Sequence, residues 1–150
     1  MKISWTSLSP PGVNEGAITE KHNSLLFILM KETDMTDTEK HDAKRAELLG
    51  KVLNLKDLVQ YQAGTIASRM IVNRKSGSIT LFSFDKDEGL SEHTAPFDAV
   101  VTILDGACEV WVGGTTHAMK EGDTIIFPAN VPHALSATTP FKMMLVMIRE

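Results

Sequence analysis

The sequence is poor in cysteine and in positive charge, and both shortages narrow the function it can have. Cys108 is the single cysteine in 150 residues, which excludes an intrachain disulfide and a cysteine zinc cluster. A lone cysteine favours a reducing compartment, so we expect a cytoplasmic protein. The net charge of -4, with scattered Lys and Arg, offers no general attraction to phosphate backbones or anionic lipid. We therefore expect no nucleic-acid partner.

Long hydrophobic runs are also missing. The most apolar stretch near the N-terminus, "LLFILM" at residues 25–30, is far shorter than the ~20 residues that span a bilayer. It has no basic segment directly before it and no small-residue cleavage site after it, which argues against a secretory signal. We expect no membrane partner.

The composition is that of one globular domain, with 43% hydrophobic and 23% charged residues. A chain of this length buries enough surface for a core of its own. We divide it into an N-terminal extension over residues 1–50 and a barrel domain over residues 51–150. Met35 is an alternative translation start, in which case the order of residues 1–34 is open.

Two short helices are predicted before residue 64. Thr36 and Glu39 have the spacing of a capping box, and Gly50 lies where a helix C-terminal cap belongs, so we expect a helix over residues 37–49. The segment "NLKDLVQYQ" has apolar residues at helical spacing behind Asn54, a favourable N-cap residue. This second helix is expected to lie against the flank of the domain.

From Gly64 onward, short β-rich runs alternate with turn signals. No helical pattern between them is long enough for a parallel crossover, so the pattern predicts an all-β fold, an antiparallel sandwich or a closed barrel of the jelly-roll kind. The runs are "TIASRMIV", "SITLFSF", "DAVVTIL", "ACEVWV", "THAM", "DTIIF", "HALSA" and "FKMMLVMI".

The last of these runs is apolar on both faces. One face fills the interior, and the other requires cover from a second sheet, the N-terminal segment or another subunit. Trp111 is a further apolar group that needs cover. We therefore expect a homodimer.

Of the five histidines, His93 and His133 are the candidates for a functional site. His22 and His41 lie in the N-terminal part and His117 in a short strand between two turns, where a solvated side chain is the ordinary state. His133 follows "GDTIIFPANVP", in which Asn130 can adopt a positive φ and Pro132 stiffens the entry into the next strand.

This run resembles the second sequence motif of the cupin superfamily, which places a glycine, a proline, a second glycine, a histidine and an asparagine at fixed spacing. Gly122, Pro128 and His133 match, whereas Asn130 replaces the second glycine and Ala137 the final asparagine. The resemblance covers about residues 64–148. It implies a small, single-domain conserved-barrel cupin, an RmlC-like jelly roll or double-stranded β-helix.

The stretch "GLSEHTAPFDAVVTILDG" stands where the first cupin motif belongs. His93 matches the second histidine of that motif and Gly106 its closing glycine, while Ser91 replaces the first histidine. Counting forward from His93 puts Asp98 in the glutamate position, and counting back from Gly106 puts Ala99 there. Strand alternation makes these two side chains point oppositely, so only one of them faces the interior.

The resemblance implies a divalent metal, of the group Mn, Fe, Ni, Zn or Cu, held by His93, His133 and Asp98 as two imidazoles and a carboxylate. The alternative is that both histidines face each other in a mostly apolar pocket, hydrogen-bonded to Ser91, Thr102 or water, with no metal. Glu92 is a candidate general acid or base at the rim, although a solvated carboxylate is the ordinary state.

By the same resemblance the ligand pocket is the barrel interior, and its apolar lining points to a small, partly apolar organic molecule. Two functions follow: a metal-dependent oxygenase, isomerase or decarboxylase, and a metal-free barrel that binds or senses a small ligand. A purely structural role as a dimerisation scaffold is the third. The residues assigned to the pocket are Ser91, Glu92, Phe82, Phe84, Val100, Thr102, Leu104, Phe127 and Leu135.

Overall fold

The computed structural model describes residues 44–149, and nearly all regular structure in this part of the chain is β-strand. Every strand pairing is antiparallel, as the alternation of short runs and turns predicts. The all-β prediction is confirmed. The strands are β1 (Ile66–Arg74), β2 (Gly77–Phe84), β3 (Gly89–His93), β4 (Ala99–Asp105), β5 (Ala107–Val112), β6 (Thr115–Lys120), β7 (Thr124–Phe127), β8 (His133–Ser136) and β9 (Phe141–Ile148).

The strands form two sheets that pack face to face as a jelly roll. The five-stranded sheet has the order β1-β2-β9-β4-β7, and the four-stranded sheet has the order β3-β8-β5-β6. Their inner faces share one hydrophobic core, because side chains of alternate residues on each strand point inward. Phe84 and Phe141 are completely buried there and stack with ring centroids 4.5 Å apart.

The helical segments lie ahead of the first strand. Residues 44–46 are helical and a turn follows to Gly50, whose φ of 71° is the left-handed conformation expected of a helix C-terminal cap. The helix therefore ends before the predicted residue 49, and residues 37–43 of the prediction lie outside the described residues. The second predicted helix is a single 3₁₀ turn, Leu55–Leu58, and the Asn54 side chain accepts a hydrogen bond from the backbone of Lys56 at 3.3 Å.

This turn and the residues after it cover part of the outer face of the larger sheet. The Ser83 hydroxyl donates to the Gln60 carbonyl at 2.7 Å, and the Lys142 ammonium donates to the Lys56 carbonyl at 2.7 Å. These bonds account for the burial of two polar residues on an outward-facing side of the sheet. The segment therefore flanks the barrel as expected.

Strand β3 was not among the strands that the sequence predicts. It is short, and its Ser91 and Glu92 are exposed, so it lacks the alternation that identified the other eight. Its edge position in the smaller sheet explains this composition, because an edge strand is only half covered. Within residues 44–149, no helix is long and apolar enough to cross a membrane.

Candidate functional site

A cavity of about 240 Å³ lies between the two sheets. Its wall is made mainly of aliphatic and aromatic side chains from both sheets and from the loop after β3. Four of the lining residues are polar: His93, Thr94, His133 and Arg149. A mostly apolar cavity with a few convergent polar groups is the usual form of a small-molecule site.

His93 reaches the cavity because β3 contains a bulge. Leu90 pairs with Leu135 and His93 pairs with His133, so a step of three residues on β3 opposes a step of two on β8. The extra residue reverses the alternation, and His93 shares the inner face with Leu90. In a regular strand Glu92 would point inward instead.

His133 is placed by the turn between β7 and β8. The Val131 amide donates to the Pro128 carbonyl at 3.2 Å, and Asn130 has a φ of 62°. The predicted positive φ at Asn130 is confirmed, which explains how this residue replaces a glycine of the cupin motif. His133 then opens β8 with only 5% of its surface exposed.

The two imidazoles meet at the cavity wall. Their ring centroids are 4.4 Å apart and the ring planes cross at 66°. His93 Nδ1 is 2.8 Å from the Ser91 carbonyl oxygen, and His133 Nδ1 is 2.9 Å from the Val131 carbonyl oxygen. A carbonyl oxygen only accepts, so each Nδ1 carries a proton, and in the neutral rings each Nε2 is left as an acceptor.

His133 is suited to remain neutral. Burial lowers the pKa of its imidazole, and the neighbouring His93 lowers it further, against the raising effect of the bond to the Val131 carbonyl. The ring also stacks on Phe127 with centroids 4.4 Å apart and planes 27° apart. The nitrogen of His133 that is free for a ligand is therefore an acceptor at neutral pH.

Asp98, the carboxylate proposed from the sequence, does not line the cavity. It is exposed, and its Oδ1 accepts a hydrogen bond from the backbone of Ala129 at 2.8 Å. A second bond, from the Asn130 amide to the Ala95 carbonyl at 2.7 Å, joins the same two loops. Ala99 takes the inward position, so the count back from Gly106 gives the right alignment.

The predicted pocket needs the corresponding correction. Phe82, Phe127 and Leu135 line the cavity as expected. Ser91 and Glu92 are exposed at the bulge, and Phe84 lies in the core against Phe141. Three further residues of β4 lie on the opposite face of that strand because its alternation is displaced by one residue from the predicted one: Val100, Thr102 and Leu104.

Several residues that line the cavity are not predicted from the sequence. Ala99 and Val101 follow directly once the alternation of β4 is known. Phe97 lies in a loop, and Arg149 lies beyond the end of the last strand, where no pattern in the sequence indicates an inward direction.

The polar groups of the cavity do not fit the metal set implied by the cupin resemblance. Within residues 44–149, no three His, Cys, Asp or Glu side chains are placed to hold a metal ion. Two imidazoles are fewer than the three protein ligands usual in catalytic zinc sites, and the charged neighbour in the cavity is the cationic Arg149. His117 is exposed on β6, while His22 and His41 lie outside the described residues.

Cys108 offers no alternative chemistry. It is 2% exposed in the core, and burial raises the pKa of its thiol to about 11. The thiolate, which is the reactive form, is therefore scarce at neutral pH.

Comparison with known proteins identifies the relatives of this barrel. A family model described as a cupin domain matches residues 80–149. The crystal structure of a conserved protein of unknown function from Streptococcus pyogenes has 40% sequence identity and a TM-score of 0.65, with 67% of this chain and 89% of that chain covered. No curated protein matches the chain.

Two further solved structures extend the likeness. A cupin 2 conserved barrel domain protein from Leptotrichia buccalis has 41% identity and a TM-score of 0.63, and the match covers 65% of this chain and 47% of that one. This chain thus spans about half of that relative's length. A cupin superfamily protein from Desulfitobacterium hafniense has 24% identity and a TM-score of 0.64, with 67% and 93% covered, and resembles it in fold.

Proposed function

The chain belongs to the cupin superfamily, and from this premise we propose that its barrel binds a small, largely apolar organic molecule without a metal ion. The observation that carries the proposal is the histidine pair. Both Nδ1 atoms are bonded to backbone carbonyls, so in the neutral rings two Nε2 acceptors are available in a mostly apolar cavity. A ligand with an apolar body and a hydroxyl donor complements these groups.

The size of the cavity limits the ligand. At about 240 Å³ it is smaller than the roughly 300–1,000 Å³ of sites for drug-sized molecules. Its aromatic wall, with Phe82, Phe97 and Phe127, favours a compact or planar ligand body. A molecule with a single ring and one or two polar substituents is of the right size.

The second candidate is a metal-dependent enzyme of the oxygenase, isomerase or decarboxylase type. One observation favours it, since histidines that bind metals usually donate their other ring N–H to a carbonyl or carboxylate, as both do here. This candidate requires a further ligand from residues outside 44–149 or from the bound molecule. It therefore ranks below the metal-free barrel.

Binding of phenol and anisole tests the proposal directly. The two compounds have the same ring, but only phenol donates a hydrogen bond. We expect phenol to stabilise the protein in a concentration-dependent manner and to bind several-fold more tightly than anisole in calorimetric titration. His93→Leu should weaken this preference, because only the His133 acceptor remains, whereas the matched control His117→Leu, on an exposed position of β6, should retain it.

Two results would contradict the proposal. Equal binding of phenol and anisole by the wild-type protein would show that the histidine nitrogens do not select the ligand. Failure of every small aromatic and aliphatic probe to bind would show that the cavity is not a ligand site.

We further propose that the chain forms a homodimer through the outer face of the larger sheet. Five aliphatic side chains lie there in one row across the strands, on the face opposite the cavity, and the last of them, on the edge strand β7, is 59% exposed. Apolar rows of this kind usually have a partner. The row consists of Val72, Ile79, Val146, Val100 and Ile126.

Analytical ultracentrifugation of the wild-type protein and of Ile126→Lys tests this assembly. We expect a dimer that the charged substitution converts to a monomer. A wild-type monomer at micromolar concentration would contradict the proposal.

A further inference from the structure

Among the described residues that line the cavity, Arg149 has the one cationic side chain. It follows β9 directly, and its backbone amide donates to the Ser76 carbonyl at 2.8 Å, which fixes the end of the strand. The guanidinium carbon lies 5.6 Å from the centroid of the Phe97 ring. A guanidinium at this distance from an aromatic ring gains a cation–π attraction and is held against the wall.

The guanidinium is incompletely paired. Its Nε is buried and has no hydrogen-bond partner within residues 44–149. No Asp or Glu is among the described residues that line the cavity. An arginine keeps its charge in proteins, and no acidic side chain of the described lining balances that charge, so an anionic ligand would supply the missing partner.

We propose that Arg149 binds a carboxylate of the ligand, so that the ligands of this barrel are small, mainly apolar carboxylic acids. This inference rests on the proposed function of the cavity and specifies its ligand class. The planar guanidinium can hold both carboxylate oxygens at once. The histidine pair then accepts a hydrogen bond from a hydroxyl elsewhere on the ligand.

The charge balance of the cavity favours a carboxylate over a phosphate. One guanidinium matches one negative charge, whereas a phosphate has up to two charges and three strong acceptor oxygens. The remaining polar lining residues are Thr94 and two imidazoles, of which His133 is neutral at pH 7. General attraction does not explain anion binding either, since the chain has a net charge of -4.

Calorimetric titration with 4-hydroxyphenylacetate and 4-hydroxyphenylacetamide tests the inference. These probes share the ring, the hydroxyl and nearly the same size, and they differ in charge. We expect the wild-type protein to bind the acid at least about tenfold more tightly than the amide. Arg149→Met should remove this preference, and Arg149→Lys should keep only part of it because an ammonium lacks the planar fork.

The control variant Lys120→Met removes a positive charge from an exposed position of β6 and should leave the preference unchanged. Melting temperatures of all variants show whether they fold. If Arg149→Met does not fold, the wild-type comparison and Arg149→Lys still decide the question.

Each outcome separates this inference from the proposal it rests on. Equal affinity of the wild-type protein for acid and amide, or an unchanged preference in folded Arg149→Met, would overturn the role of Arg149. If the amide still binds and His93→Leu weakens it, the cavity remains a ligand site. Failure of both probes and of phenol would overturn both proposals.

Discussion

His93 and His133 lie directly opposite each other on β3 and β8, with their ring centroids 4.4 Å apart. Each ring is oriented in the same way, by a bond from Nδ1 to the carbonyl of the residue two positions earlier in the chain. The pair is thus built from two copies of one local arrangement. This orientation fixes which nitrogen of each ring is free, and several of the expected results depend on it.

Metal content separates the two candidate functions. Because residues 44–149 supply two imidazoles and no third ligand, we expect purified protein to hold much less than one equivalent of divalent metal. EDTA should leave its melting temperature unchanged. Elemental analysis of the purified wild-type protein and of the His93→Ala and His133→Ala variants measures the metal content. One tightly held equivalent that both substitutions remove would favour the metal-dependent enzyme.

Stability should fall in mildly acidic solution because of His133. Burial lowers the pKa of this imidazole in the folded protein, so the unfolded chain takes up a proton first as the pH falls below about 6.5. Above that pH the ring is neutral in both states and has no effect. The loss of stability grows as the pH falls from 6.5 toward the folded-state pKa and is then constant.

Urea unfolding of the wild-type protein and of His133→Gln at pH 7.5 and 5.5 measures this effect. The wild-type protein should lose more stability between the two pH values than the variant does. An identical loss in both would show that His133 does not couple folding to protonation.

Asp98 should act as a loop anchor. Its Oδ1 holds the Ala129 amide, and asparagine retains an acceptor in the same place. Asp98→Ala should therefore lower the free energy of unfolding by about 1 kcal/mol and weaken ligand binding, while Asp98→Asn should resemble the wild-type protein. Chemical denaturation and phenol titration report the two effects. Equal damage by both substitutions would point to a role for the negative charge.

Gly106 should tolerate no side chain. Its φ of 74° disfavours other residues, and an added Cβ would collide with the Pro140 carbonyl oxygen and lie 2.9 Å from the Phe141 Cα. Gly114 has a φ of 94° but open space around it, so a substitution there measures the cost of the backbone conformation without a steric collision. We expect Gly114→Ala to cost about 1–2 kcal/mol and Gly106→Ala clearly more. Similar costs in urea unfolding would show that packing at Gly106 is unimportant.

Much of the barrel can be predicted from the sequence because turn residues and alternation act locally. Asn130 is an example, since its positive φ follows from its own chemistry and its place between Pro128 and Pro132. The alternation of β4 is different. Ala99 or Val100 can face inward equally well by composition, and the choice is made by pairing of Ala99 with Met147 and Phe127 across the sheet.

The site was harder to predict than the fold for the same reason. The pairing of His93 with His133 depends on a bulge between two strands that are far apart in sequence, and β3 itself has no hydrophobic alternation. Arg149 is further removed from any pattern, because its direction follows from the end of β9 and from the Phe97 ring. Such features come from tertiary contacts, which local propensity does not contain.

The bulge in β3 affects how this site can evolve. Removal of one codon at position 91 or 92 would restore regular pairing and leave the imidazole opposite its partner. A shift of the strand by one residue without such a loss would instead carry Glu92 to the inner face. An acidic group could thus enter the barrel through a slip in register, with no amino acid replaced.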